Sequence, residues 1–187
     1  QTSAFSDTAD VGSGGDINLA TTYGDIHLAQ IISQATAQFS QNAGDGGDIA
    51  LTTGDGYIQI DGSLFYAINS RVGAGVLAGD AGDITLNATA GITIDGSVVA
   101  DVDGQNGDGG DITMTTTNGN ISIADRVDSS AIYNTVGSPG DGGTIWLEAL
   151  NGAVSVDDVW AFSHALLIHN DTRCLLYTSP SPRDALE

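Results

Sequence analysis

Aspartates are the residues of this chain best placed to do chemistry, and they recur at set intervals. Asp16, Asp45, Asp48, Asp80, Asp83, Asp108, Asp111 and Asp141 all sit in glycine-rich clusters. The clusters read "SGGDINL" from Ser13, "GDGGDIAL" from Gly44, "GDAGDITL" from Gly79, "GDGGDITM" from Gly107 and "GDGGTIWL" from Gly140. Carboxylate oxygens on flexible glycine corners can ligate a hard cation, and calcium prefers such oxygen-rich sites. If the units carrying these clusters stack, Asp45, Asp80, Asp108 and Asp141 form one column. Asp16, Asp48, Asp83 and Asp111 form a second, and Asp61, Asp95 and Asp157, with Asp125 displaced by one residue, form a partial third. Carboxylates about 5 Å apart repel by roughly 1 kcal/mol in water and several times more near a protein surface. Calcium at Asp45, Asp48, Asp80, Asp83, Asp108, Asp111 and Asp141 would relieve that repulsion. The competing expectation, and the favoured one, is a set of solvated turn aspartates with loosely held counter-ions and no required cofactor.

The remaining groups offer less. His27 lies in the middle of an alternating run and reads as a plain surface residue. His164 and His169 are five apart, a spacing that suits no usual zinc pattern. The arginines inside the repeats, Arg71 and Arg126, fall 22 and 14 residues after their aligned isoleucines, so they are not expected to share one site. Catalytic residues are therefore expected to be absent, although acids are plentiful enough for a paired-carboxylate glycosidase. Thr85 and Thr113 begin an outward threonine ladder that Asn18, Ala50 and Trp146 interrupt. Trp146, Trp160 and Tyr133 could stack on carbohydrate, but core or loop packing is the simpler expectation for each.

The elements that must position these residues follow from the repeat. Aligned on the isoleucine after each cluster, the units begin their first run at Ile17, Ile49, Ile84, Ile112 and Ile145, with spacings of 32, 35, 28 and 33. A second run follows eight or nine residues later: "DIHL", "YIQI", "GITI", "NISI" and "AVSV". Both runs alternate apolar and polar residues, the mark of a half-buried strand. The inward pairs of the first run are Ile17/Leu19, Ile49/Leu51, Ile84/Leu86, Ile112/Met114 and Ile145/Leu147. Those of the second are Ile26/Leu28, Ile58/Ile60, Ile92/Ile94, Ile121/Ile123 and Val154/Val156. A third segment of variable length follows and is read as a strand plus a tolerant loop. One unit is too small to bury its own apolar face, but stacking unit on unit buries it. The expected fold is all-β: a right-handed parallel β-helix of about five coils, each of 28 to 35 residues with three short strands. Corner glycines are expected where the backbone needs positive φ.

The expected layout is a partial preceding coil over 1–12, then coils over 13–43, 44–78, 79–106, 107–139 and 140–162. A frayed end follows over 163–173. Residues 174–187 break the pattern, holding the single cysteine and two of the three prolines. Back-translated, residues 174–184 resemble a transposase-type sequencing adapter at every position, so this tail is expected to be non-native and disordered. The chain is accordingly read as a fragment of a longer protein. Its formal charge of −20, with four arginines and no lysine, excludes nucleic acid and anionic membrane surfaces as partners. No apolar run reaches membrane-spanning length.

Repeats such as "GDGGDITMTTTNGNISI" resemble the filamentous-haemagglutinin-like exoproteins of bacteria, over about residues 11 to 162. The resemblance implies a long β-helix adhesin, exported by two-partner secretion through an outer-membrane pore to the extracellular surface. It also implies a non-catalytic stalk whose partners are cell-surface glycans or proteins. The lack of cysteine before residue 174 agrees with passage of an unfolded chain. Loops at about 29 to 43 and 61 to 78 are expected to carry any contacts. The alternatives are a carbohydrate-active β-helix enzyme, a lyase or hydrolase, and an autotransporter passenger. A localised cluster of acids with arginine would favour the enzyme. The glycine-aspartate nonapeptides of calcium-binding toxin repeats match only in part, because those run in tandem at nine residues.

Overall fold

A computed structural model of the chain describes residues 2–6, 10–37, 41–62, 66–133 and 138–165. The expected tail at 174–187 and residues 166–173 of the expected frayed end, with His169 among them, lie outside the described residues, while residues 163–165 of that end are strand. Strand β1 (Thr2–Ser6) precedes the first coil. That coil holds β2 (Ile17–Thr21), β3 (Ile26–Leu28) and β4 (Ile31–Ala37). The second holds β5 (Ile49–Thr53), β6 (Tyr57–Ile60), β7 (Tyr66–Asn69) and β8 (Val72–Leu77). The third holds β9 (Ile84–Ala88), β10 (Gly91–Ile94), β11 (Ser97–Val99) and β12 (Val102–Gln105). The fourth holds β13 (Ile112–Thr116), β14 (Ile121–Asp128) and β15 (Ala131–Tyr133). The fifth holds β16 (Ile145–Ala149), β17 (Val154–Trp160) and β18 (Ser163–Ala165).

The pairings between named strands are all parallel and run from each coil to the next, so the molecule is a parallel β-helix. The first face is a five-stranded sheet ordered β16-β13-β9-β5-β2. Its register places Ile17, Ile49, Ile84, Ile112 and Ile145 in one line, as the repeat alignment predicts. The second face lines up Ile26, Ile58, Ile92, Ile121 and Val154. The third segment differs from the expected strand plus loop. In the second and third coils it is two strands, β7 with β8 and β11 with β12. In the first coil β4 runs through both positions without a break. Within the stretches expected as loops, at 29 to 43 and 61 to 78, residues 31–37, 66–69 and 72–77 are strand. The reason is pairing: β4 bonds to both β7 and β8, so its backbone groups are met across the bend.

The inward pairs fill the core. Ile58, Ile60, Ile84, Leu86, Ile92, Ile112, Met114 and Ile121 are fully buried. Burial fails only at the ends of the stack, where a coil has a neighbour on one side. Leu19 is 39% exposed and Val154 42% exposed, although both lie on the inward register. Trp146 and Trp160, expected in core or loop packing, are also exposed, at 45% and 38%, because they stand on outward positions of the last coil. Among the described residues there is no helix, and so none long and apolar enough to cross a membrane.

Candidate functional site

The two full aspartate columns form as expected, and the carboxylates of Asp16, Asp45, Asp48, Asp80, Asp83, Asp108 and Asp111 each accept a backbone N–H from the next coil. Asp16 Oδ1 accepts the backbone N–H of Asp48 at 3.1 Å, Asp48 that of Asp83 at 2.9 Å, Asp83 that of Asp111 at 2.8 Å and Asp111 that of Thr144 at 2.7 Å. In the other column Asp45 accepts from Asp80 at 3.2 Å, Asp80 from Asp108 at 2.9 Å and Asp108 from Asp141 at 2.7 Å. Ser13 takes the place of the aspartate at the start of this column and accepts from Asp45 at 3.1 Å. Corner residues leave the strand ladder, so their N–H groups need another acceptor, and the side chain of the previous coil supplies it. Each column is thus a hydrogen-bonded ladder along the solenoid. Desolvation at this corner pushes the Asp83 carboxyl above its usual range, against the N–H bond from Asp111. Among the described residues, no group of three or more His, Cys, Asp or Glu is arranged to hold a metal ion.

The corner glycines are required for two different reasons. Among the described residues positive φ occurs in glycine at Gly24, Gly91 and Gly96, each at a corner leading from one strand to the next as expected, but at no glycine of a "GDGGD" corner. What the "GDGGD" corners need is close approach. A Cβ on Gly46 would lie 2.6 Å from Gly82 N and 2.7 Å from Ser70 O. The corner reaches across the solenoid to a serine on the far bend. Ser33, Ser70 and Ser129 donate their hydroxyls to the carbonyls of Gly15, Gly47 and Gly110 at 2.6, 2.7 and 2.6 Å. These serines are fully buried, and Ala100 takes the equivalent place in the third coil.

The partial third column is less regular. Asp61 pairs with His27 of the preceding coil and accepts from Gln59 at 2.7 Å. Those two bonds, with His27 first, hold the Asp61 carboxyl below its usual range. His27 is therefore an outward surface residue with a partner. Asp125 accepts from Ser97 at 2.6 Å. His164 lies on β18, and Tyr133 ends β15.

A second polar cluster was not legible in the repeat. Where the third segment bends, the outward face is concave, and residues on outward positions of its two limbs face one another. Asn69, Asp101, Asp128 and Ser130 stand there, each buried to 6% exposure or less. Arg71 Nε lies 3.2 Å from Asp101 Oδ1, and its Nη2 lies 3.3 Å from Asp103 Oδ2. Arg126 Nε lies 3.5 Å from Asp128 Oδ2, and its guanidinium stacks on Trp160 at 4.8 Å. Asp128 also accepts from the Ser130 hydroxyl at 2.6 Å. The Arg71–Asp101 contact is an ion pair without hydrogen-bond alignment, since Arg71 Nε and Asp101 Oδ1 are both buried without a hydrogen-bond partner. Burial therefore dominates at Asp101 and pushes its carboxyl up to about 6, with Arg71 the main opposing influence. Asp101 feels both Arg71 and Arg126. The two arginines, expected to be unrelated because of their different offsets, thus act on one bend. The offsets do place them on different ladder positions, Arg71 three residues after Ile68 and Arg126 one before Val127, but these positions lie on opposite limbs of the bend and the limbs face one another.

The pair of acids between guanidinium groups could bind a polar ligand or, with Asp101 keeping its proton up to about pH 6, donate a proton under mildly acidic conditions. Comparison of the chain with family models, with curated proteins and with solved structures finds no match.

Proposed function

We propose that this chain is a stalk segment of a secreted bacterial surface adhesin, of the filamentous-haemagglutinin-like kind, which presents binding surfaces on a β-helix and is not catalytic. The observation that carries this reading is the use of the corner acids. Asp16, Asp45, Asp48, Asp80, Asp83, Asp108 and Asp111 are all engaged in coil-to-coil ladders, which lengthen a rod and converge on no reacting centre. A charge of −20 keeps such rods apart from one another. Its partners in this reading are cell-surface glycans or proteins, and its export route is an outer-membrane pore. Calcium enters only as a counter-ion on the outer carboxylate oxygens. The thermal midpoint of the chain is then expected to move no more with millimolar calcium than with sodium of matched ionic strength. A larger shift with calcium would make the columns a structural ion site.

The Asp101 bend favours a second reading, a carbohydrate-active β-helix enzyme, because it gathers acids and arginines in one concavity. Prolonged incubation with acidic and neutral polysaccharides separates the two. The adhesin reading expects no new reducing ends and no unsaturated uronyl absorbance. Either signal, abolished by Asp101→Asn in a folded variant, would overturn it.

A further inference from the structure

The concave bend opens across its first three coils into a groove of about 510 Å³, lined by Gln34, Thr36, Tyr66, Asn69, Arg71 and Asp103 with apolar wall residues. That volume falls in the range of small-molecule sites, roughly 300 to 1,000 Å³. Its charges are already matched within the wall. Arg71 spans Asp101 and Asp103, so an anionic ligand would meet two carboxylates and a cationic one would meet the guanidinium. Its hydrogen-bonding groups are not matched. Asn69 is 3% exposed and uses Oδ1 to accept the Arg71 N–H at 2.9 Å. Among the described residues, the amides of Gln34 and Asn69 and the hydroxyl of Thr36 donate to no partner. Gln34 and Thr36 are partly exposed and the Asn69 amide nitrogen is not sealed from the groove, so these donors are open to solvent or to a ligand lying there. Tyr66 and the wall residues Ile32, Ala37 and Ala74 add apolar surface beside these donors.

We propose that this groove is a binding subsite for a neutral saccharide of one or two hexose units, whose hydroxyls accept from Gln34, Thr36 and Asn69 while its C–H face lies on the Tyr66 side. This deepens the adhesin reading by naming a ligand class, and it can fail separately. The bend that buries Asp101 keeps the guanidinium of Arg71 fixed, so the groove needs little rearrangement to bind.

The test is titration calorimetry or ligand-observed NMR on the full chain with maltose, cellobiose and lactose, and with digalacturonate as the charged control. At least one neutral disaccharide is expected to bind with a millimolar dissociation constant and to be preferred over digalacturonate. The double variant Gln34→Leu with Thr36→Val removes two donors from partly exposed positions. It is expected to weaken binding roughly tenfold or more with the thermal midpoint unchanged. Single Thr36→Val, nearly isosteric, serves if the double variant melts early. No neutral sugar bound at about 10 mM, equal binding by the variant, or preference for digalacturonate would each overturn the proposal. Saccharide bound and left intact supports both the groove and the adhesin. Saccharide bound and cut supports the groove and sinks the adhesin, while failure of binding leaves the stalk standing.

Discussion

Alanine at Gly110 is expected to cost the chain about 3 kcal/mol or more, while alanine at Gly12 changes stability by less than about 0.5 kcal/mol. The two glycines have the same chemistry and neither has positive φ. They differ in what a methyl group would meet. At Gly12 nothing lies within 4 Å of the added Cβ. At Gly110 the Cβ would run into the Gly82 carbonyl oxygen, with Gly82 C at 2.8 Å and Ala81 O at 3.0 Å. These are backbone atoms of the previous coil, and no side-chain rotation can clear them. Gly110 is also tied from both sides. Its N–H donates to Ala100 O at 2.9 Å, and its carbonyl accepts the Ser129 hydroxyl at 2.6 Å. Moving the corner outward would break both bonds in a dry interior. Urea denaturation of the two single variants beside the parent chain makes the comparison. Equal midpoints for both would mean that the corners are loose turns and that the glycines are there for conformational freedom.

That prediction also shows where sequence reasoning works and where it stops. The alternation of apolar and polar residues, together with the recurring corner, was enough to set the parallel register of the first two faces residue by residue. Alternation reports which side of a strand is apolar. It carries no information on the curvature of the chain between strands. At the bend in the third segment the outward side closes on itself, so Asp101 and Asp128 are buried on positions that alternation assigns to water. One signal did lie in the sequence. Ser33, Ser70 and Ser129 each stand two residues after an inward aliphatic (Ile31, Ile68, Val127), and register pairs those aliphatics through Val98. A small polar residue repeating at that offset marks the place where the chain turns toward the opposite corner. The aspartate columns were legible as columns. Their N–H acceptor role was not, because it depends on the ångström-scale offset between coils.

The buried acid at the bend gives the other large effect. Asp101 has its carboxyl pushed up to about 6, against 3.8 for a free side chain. Between those values the folded chain holds the proton more tightly than the unfolded chain does, so stability falls as pH rises through this window. Above about pH 6 the full cost of the buried charge is present, about 3 kcal/mol at this separation of roughly two pH units. The groups that face it are Arg71 and Arg126, which favour the charged form, and Asp128 and Asp103, which oppose it. Asp101→Asn imitates the neutral acid at every pH. The variant is therefore expected to match the parent near pH 4 and to exceed it by about 1 to 3 kcal/mol at pH 8. Denaturant midpoints of both chains at the two pH values test this. Other acids, Asp83 and Asp61 among them, titrate in both chains, so the difference between chains isolates position 101. If the variant is instead less stable than the parent at pH 8, the Arg71–Asp101 pair is a net contributor. The concave bend is then held together by its charges rather than strained by them.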